Sequence, residues 1–192
     1  PLAFANVVKS GDLGMVCASG TGAQEVSCII DQLGCGISQL LGTGGRDLKQ
    51  EIGGIMMRLG LDALIHDPKT KVITLVSKPP APEIAAKILD QAAAGGKPTV
   101  VCFIGGEASE IERRGRYAAG SLEDAAHKAA ALARDETPED FTGFAMGQLK
   151  AEELAAAEAA KMAPGQKYVG IGKETIKLRC KRFVTSKQGN QP

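Results

Sequence analysis

Residues 13–23 read Leu-Gly-Met-Val-Cys-Ala-Ser-Gly-Thr-Gly-Ala, an apolar run of strand length that breaks into a glycine-rich turn and then into a helical pattern. From Ala23 to Leu33 the apolar residues Val26, Ile29, Ile30 and Leu33 fall at i, i+3, i+4, i+7 spacing, which predicts a helix with one face on a sheet. Strand, glycine turn and helix in that order form the first half of a βαβ unit, and the alternation recurs downstream. Val72–Val76 (VITLV) is the clearest further strand, Thr99–Ile104 (TVVCFI) is another, and Gly36–Leu41 is a weaker one. Continuous apolar runs suit strands covered by helices on both faces.

Helices are expected in step with these strands. Leu48–His66 is interrupted by Gly53-Gly54 and ended by Asp67-Pro68, because proline cannot continue the hydrogen-bond ladder. Pro82–Ala94 carries proline in its first turn and Gly95-Gly96 as its stop. Ser121–Arg134 opens on a capping box of Ser121 and Asp124, and Leu149–Met162 is an alanine-rich surface helix. The pattern predicts an α/β fold of three layers around a parallel sheet. Within the 192 residues we expect a leader segment at 1–12, one domain at 13–163 and a basic, flexible tail at 164–192. Because the chain begins at Pro1, it is expected to be a piece of a longer protein.

The composition narrows the function classes. Hydrophobic residues at 44% and charged residues at 23% are globular proportions, and no apolar run approaches a membrane-spanning length, so no membrane partner is expected. A net charge of +1, with aromatics at 4% and no tryptophan, argues against nucleic acid. Cys17, Cys28, Cys35, Cys102 and Cys180 form no CxxC pair, so no metal site is expected, and the odd count among apolar neighbours suggests buried thiols of a cytoplasmic protein.

Chemistry in a parallel α/β sheet gathers where loops leave the carboxyl ends of the strands. Here those loops are Ser19-Gly20-Thr21-Gly22, Gly42-Thr43-Gly44-Gly45-Arg46-Asp47, Ser77-Lys78-Pro79-Pro80 and Gly105-Gly106-Glu107. In the first, glycine lets backbone N–H groups approach an oxyanion closely at the positive end of the helix that follows. An ordinary N-cap, with Thr21 capping and Gln24 returning the bond, explains the same residues. Arg46 adds a guanidinium suited to fork onto phosphate or carboxylate, and Lys78 a point charge or simply a strand end. Arg113, Arg114 and Arg116 form a basic cluster placed either to reach back over the crevice or to lie solvated. Glu107, Glu110 and Glu112 stand beside it as partners or as a general base. His66, at a helix end, and His127, on the polar side of a helix, are poor candidates for chemistry.

Three segments carry a family resemblance: Gly14-Met-Val-Cys-Ala-Ser-Gly-Thr-Gly-Ala-Gln-Glu25, Leu41-Gly-Thr-Gly-Gly-Arg-Asp-Leu48 and Leu75-Val-Ser-Lys-Pro-Pro-Ala-Pro82. From Gly14 to about Ala126 the chain resembles the ligase domain of the succinyl-CoA synthetase alpha subunit, and within that group the FdrA family. The resemblance implies a flavodoxin-like parallel fold whose first helix faces a phosphoryl group. Succinyl-CoA synthetases relay phosphate through a histidine in a Gly-His-Ala-Gly loop, and the matching stretch here is Gly115-Arg116-Tyr117-Ala118. Arginine stays protonated and cannot carry a phosphoryl group. The supporting acid of that pattern corresponds to Lys78, so both departures add positive charge.

The resemblance therefore implies group transfer to a bound phosphate without a phosphohistidine, as in the oxamate carbamoyltransferase of the same family. Ser19, Gly20, Thr21, Gly22, Gly42, Thr43, Gly44, Gly45, Gly105 and Gly106 would hold phosphate or a carbamoyl or acyl phosphate. Arg46, Lys78 and Arg116 would offset charge in the transition state. An acyl-CoA synthetase subunit is the alternative, and it implies a CoA-binding domain expected to precede these residues, so that CoA belongs to the full-length protein and this domain alone binds no cofactor. A non-catalytic domain that docks on other subunits is the third reading. A small anionic substrate, further domains or subunits of the same enzyme and a homo-oligomer are the expected partners.

Overall fold

The structure, a computed structural model, describes residues 7–141 and Gly143. Contacts divide the chain into a unit Pro1–Phe141 and a second unit Thr142–Pro192, a boundary earlier than the one expected after residue 163. The expected helix Leu149–Met162 and the basic tail lie outside the described residues.

The first unit runs β1 (Ser10–Cys17), α1 (Gly20–Gln32), β2 (Ile37–Gly42), α2 (Ile55–His66), β3 (Val72–Ser77), α3 (Pro82–Ala94), β4 (Thr99–Phe103), α4 (Ala108–Glu112), β5 (Tyr117–Ala118) and α5 (Leu122–Ala133). All neighbouring strands are parallel, in the order β2-β1-β3-β4-β5. This is the flavodoxin-like order, with its topological switch point between β1 and β3.

The two-residue period of a strand explains the layers. Leu13, Met15 and Cys17 enter one core with Val26 and Ile30 of α1 and Ala125, Ala126 and Ala129 of α5. Val16, Ile73 and Leu75 enter the other, with Met57, Leu61 and Leu64 of α2 and Ile84, Ile88 and Leu89 of α3. Val26 and Ile30 are wholly buried, each contributing about 1.5–3 kcal/mol through the removal of apolar surface from water. The small alanines of α5 let that helix lie close to β3 and β4.

Several boundaries differ from expectation, each for a local reason. Ser10–Asp12, assigned to the leader, already belong to β1, and their exposure keeps the apolar run from revealing it. The backbones of β1 and β2 touch there: a Cβ added at Gly36 would lie 2.4 Å from the Ser10 carbonyl oxygen. The strand β5 and the helix α4 span two and five residues, too short for periodicity to register. Residues 48–53 form turns rather than the first turns of α2, because Gly53 and Gly54 adopt φ of +85° and +70°, which a right-handed helix excludes.

Candidate functional site

The carboxyl edge of the sheet is knitted together by backbone hydrogen bonds just beyond the strands. Ala18 N donates to Val76 O at 2.9 Å, Thr43 N to Cys17 O at 2.9 Å and Ile104 N to Ser77 O at 3.0 Å. The four loops singled out in the sequence therefore leave one rim, with the loop after β1 between those after β2 and β3.

The α1 N-terminus lies at the middle of that rim. Ser19, in extended backbone, is the N-cap, and its Oγ accepts from Gly22 N at 3.1 Å. This corrects the capping role expected of Thr21, since the helix already starts at Gly20. Gly20 and Thr21 are exposed, and their amides have no partner among the described residues. Gly22 is buried, and a Cβ there would stand 3.0 Å from Val76 Cγ1, so the glycine lets α1 approach β3 closely.

Charge separates α1 from the other long helices. The carboxylate of Asp47 fills the start of α2, accepting from Met56 N and Met57 N, each at 2.8 Å. The first turn of α3 carries Glu83 and a proline, and that of α5 carries Glu123 and Asp124. The first turn of α1 has no acid, so its positive end stays uncompensated.

Around it the second loop is open. Gly42, Gly44 and Gly45 have free space where a side chain would be, and Gly44 takes a φ of +78° that favours glycine. Arg46 and Lys78 are exposed and unpaired among the described residues. Leu48 O accepts from Ala81 N at 3.3 Å, joining the loop that carries Arg46 to the one that carries Lys78. Gly105 and Gly106 turn tightly at the end of β4, with Gly106 N donating to Phe103 O at 2.7 Å.

Arg116 is elsewhere. It precedes β5, whose Tyr117 pairs with Val100 near the start of β4, so it stands at the amino edge of the sheet. Its guanidinium donates to Ala92 O at 3.3 Å and Lys97 O at 3.1 Å, closing the carboxyl end of α3. The expectation that Arg116 acts in the crevice is thus corrected. The rest of the basic cluster is likewise engaged: Arg113 pairs with Glu110 at 2.6 Å, and Arg114 with Asp90 at 2.7 Å and Glu110 at 2.8 Å. The hydrogen bond from Arg114 holds the Glu110 carboxyl below its usual range, so this acid is a partner and not a base. Asp47 was missed as an organiser, because it reaches the start of α2 across the turns of residues 48–53 and no local capping spacing marks it.

The thiols beneath the rim are inert by burial. Burial, with a smaller contribution from Cys102, pushes Cys17 up to about 12, against the bond from Val76. Burial, and then Asp124 and Glu123, push Cys102 up to about 12. Thiolate is the reactive form, so both should resist maleimide at pH 8 in the folded protein and react only as it unfolds. Peptide mass mapping against time in urea checks this, and prompt native labelling of either would contradict the packing.

The model of the family described as "CoA binding domain" matches residues 8–105. A CoA-binding domain was expected to lie outside these residues, and the match places it within them. The uncharacterized protein YahF of Escherichia coli (strain K12) is 43% identical over 168 residues, which are 88% of this chain and 32% of that protein. The chain thus spans about a third of that relative's length. The dinucleotide-forming acetyl-coenzyme A synthetase 1 of Ca. Korarchaeum cryptofilum is similar in structure at a TM-score of 0.49, with 21% identity over 67% of this chain and 31% of that one. PH0766 from Pyrococcus horikoshii OT3 gives 0.50, with 14% identity over 65% of this chain and 28% of that one, a likeness of fold. Among the described residues no helix is long and apolar enough to cross a membrane.

Proposed function

Because the chain belongs to the CoA-binding domain family, we propose that the crevice over the β1–β3 switch point holds the phosphoryl end of CoA or of an acyl phosphate, as part of an acyl-CoA ligase. The observation that carries this reading is the α1 N-terminus, which opens on the crevice with free Gly20 and Thr21 amides and no acid in its first turn.

A helix end contributes roughly 0.3–1 kcal/mol to an exposed anion and up to about 2 kcal/mol to a partly buried one. Tight binding therefore needs further charge. Arg46 supplies a bidentate guanidinium from one flanking loop and Lys78 an ammonium from the other. Gly42–Gly45 leave the backbone bare, so the ligand can come close enough to exclude water.

Carbamoyl transfer to phosphate is the second reading. Arg116, at the position that resembles the phosphoryl-carrying histidine, is occupied with backbone carbonyls at the far edge. A mechanism that positions phosphate without a covalent carrier suits that replacement. It would use the same crevice, with carbamoyl phosphate as product or substrate.

Thermal unfolding with phosphate, carbamoyl phosphate and CoA added separately distinguishes these. A ligand at about 100 times its dissociation constant adds roughly 2.7 kcal/mol. CoA should stabilise the chain and Arg46→Ala should abolish most of the effect. Stabilisation by carbamoyl phosphate without CoA would transfer support to the second reading, and silence from all three would leave a docking domain without a ligand.

A further inference from the structure

We infer that Ser77 is a positioning residue of the crevice: its buried hydroxyl fixes the Lys78 backbone so that the ammonium leaves the rim on the side where α1 opens, an inference that rests on the crevice being a seat for the phosphoryl end of CoA.

Ser77 ends a strand that is buried along its whole length, and it is itself fully buried. A hydroxyl so placed costs free energy unless it finds a partner. Its Oγ donates to the carbonyl of the next residue, Lys78 O, at 2.6 Å. The strand end beneath is anchored on both sides, since Val76 O accepts from Ala18 N and Ser77 O from Ile104 N. Beyond Lys78 the ladder stops. Pro79 and Pro80 have no N–H to donate, and the next amide of the loop with a partner is that of Ala81, on Leu48 O at 3.3 Å. Pro79 also restricts the residue before it to extended backbone. The Ser77 hydroxyl and the Pro79 ring therefore set the Lys78 backbone between them.

Direction follows from the period of the strand. Ile73 and Leu75 face the core under α2 and α3, while Val72 and Val76 face the core under α1 and α5. Continued along β3, the same alternation turns Ser77 toward α2 and α3, and Lys78 toward α1. Val76 lies against the first turn of α1, where a Cβ on Gly22 would stand 3.0 Å from its Cγ1. Lys78, one period nearer the rim, thus starts beside the exposed Gly20 and Thr21 amides. A lysine stem is flexible, so the loop fixes only where the stem begins and on which side it leaves. A fixed origin reduces the ordering that the ammonium undergoes on meeting an anion. A hydroxyl that merely satisfied itself would make the same bond, and the two roles differ in whether Ser77 acts through Lys78.

Calorimetric titration of the 192-residue chain with CoA, repeated across a range of salt, separates them. The unaltered chain should bind. Lys78→Ala should weaken binding about tenfold, the loss of one charged hydrogen bond, and lessen its dependence on salt. Ser77→Ala should weaken binding about threefold or more and lessen the salt dependence in the same direction. In a Lys78→Ala background it should have no further effect, because the residue it acts through is gone. Thr99→Val removes an equally buried hydroxyl, bonded to Lys97 O at 3.0 Å at the amino edge, and should leave CoA binding as it was. Binding indifferent to Lys78→Ala or to Ser77→Ala, a Ser77→Ala loss that persists undiminished in Lys78→Ala, or an equal loss in Thr99→Val overturns the inference and leaves the crevice as the CoA site. Absence of CoA binding by the unaltered chain removes the crevice as that site, and the role of Ser77 with it.

Discussion

Replacing Lys128 by Ala should lower the unfolding free energy by about 3–5 kcal/mol, the cost of leaving a buried charge without its partner. The Lys128 ammonium donates to Ala118 O at 2.6 Å, Asp140 Oδ1 at 2.7 Å and Asp124 Oδ2 at 3.1 Å. Asp124 in turn accepts from Gly120 N and Phe141 N, at 2.9 and 3.0 Å. One lysine thus fastens the end of β5, the start of α5 and the segment that leaves the unit, where Phe141 also stacks on His127 with ring centroids 4.4 Å apart. Urea unfolding of Lys128→Ala measures the loss. The double variant Lys128→Met, Asp124→Asn should be less destabilised than the sum of its parts, because the stranded carboxylate is gone. A single-variant loss below about 1 kcal/mol would mean that water replaces the ammonium.

The same cluster sets a pH window. Burial pulls the Lys128 pKa down, but the bonds to Asp140 and Asp124 and their charges outweigh it and raise the value above that of an ordinary lysine. Its stabilisation is therefore complete below the unfolded value of about 10.4 and disappears as pH rises through the folded one. The bond from Lys128, and then its charge, hold Asp140 below the usual aspartate range. Its contribution is present above that range and is lost as pH falls through the lowered value. In Lys128→Ala both flanks of the stability–pH curve should flatten.

Asp47→Ala should cost about 2 kcal/mol and also weaken ligand binding, a pairing that links the fold to the proposed site. The Asp47 carboxylate satisfies Met56 N and Met57 N, while its carbonyl accepts from Gly54 N at 2.8 Å. Removing it strands the amide of the buried Met57 and frees the turn that begins at Gly44. Arg46, one residue earlier, would lose its fixed origin. Asp47→Asn should retain more stability, since its amide oxygen still accepts one bond. Denaturation together with CoA titration checks both halves. Ligand affinity untouched by Asp47→Ala would show that Arg46 needs no support from the α2 cap.

The legibility of the fold and of the site differed. The segments LGMVCA, VITLV and TVVCFI are read as strands because residues buried on both faces leave an unbroken apolar run, and the structure buries Leu13–Cys17, Val72–Val76 and Thr99–Phe103 while leaving Ile104 exposed beyond the strand. The helix Pro82–Ala94 has the expected limits because proline and glycine act locally. Arg116 was misplaced because a sequence does not say how many residues return the chain from one edge of the sheet to the other. Here α4 and its turn descend before β5, carrying Arg116 to the amino edge.

By itself, then, the sequence determined the alternation of strands and helices, the parallel sheet and the four glycine-bearing loops, since periodicity and the backbone freedom of glycine are properties of neighbouring residues. Tertiary structure decided which loops share a rim, that among the described long helices α1 alone opens there with no carboxylate at its start, and that Arg116 faces away. Those depend on strand order and on contacts between distant residues, such as Thr43 with Cys17 and Lys128 with Ala118. No local pattern of side chains encodes them, because the free energy that selects them is released only when the layers pack.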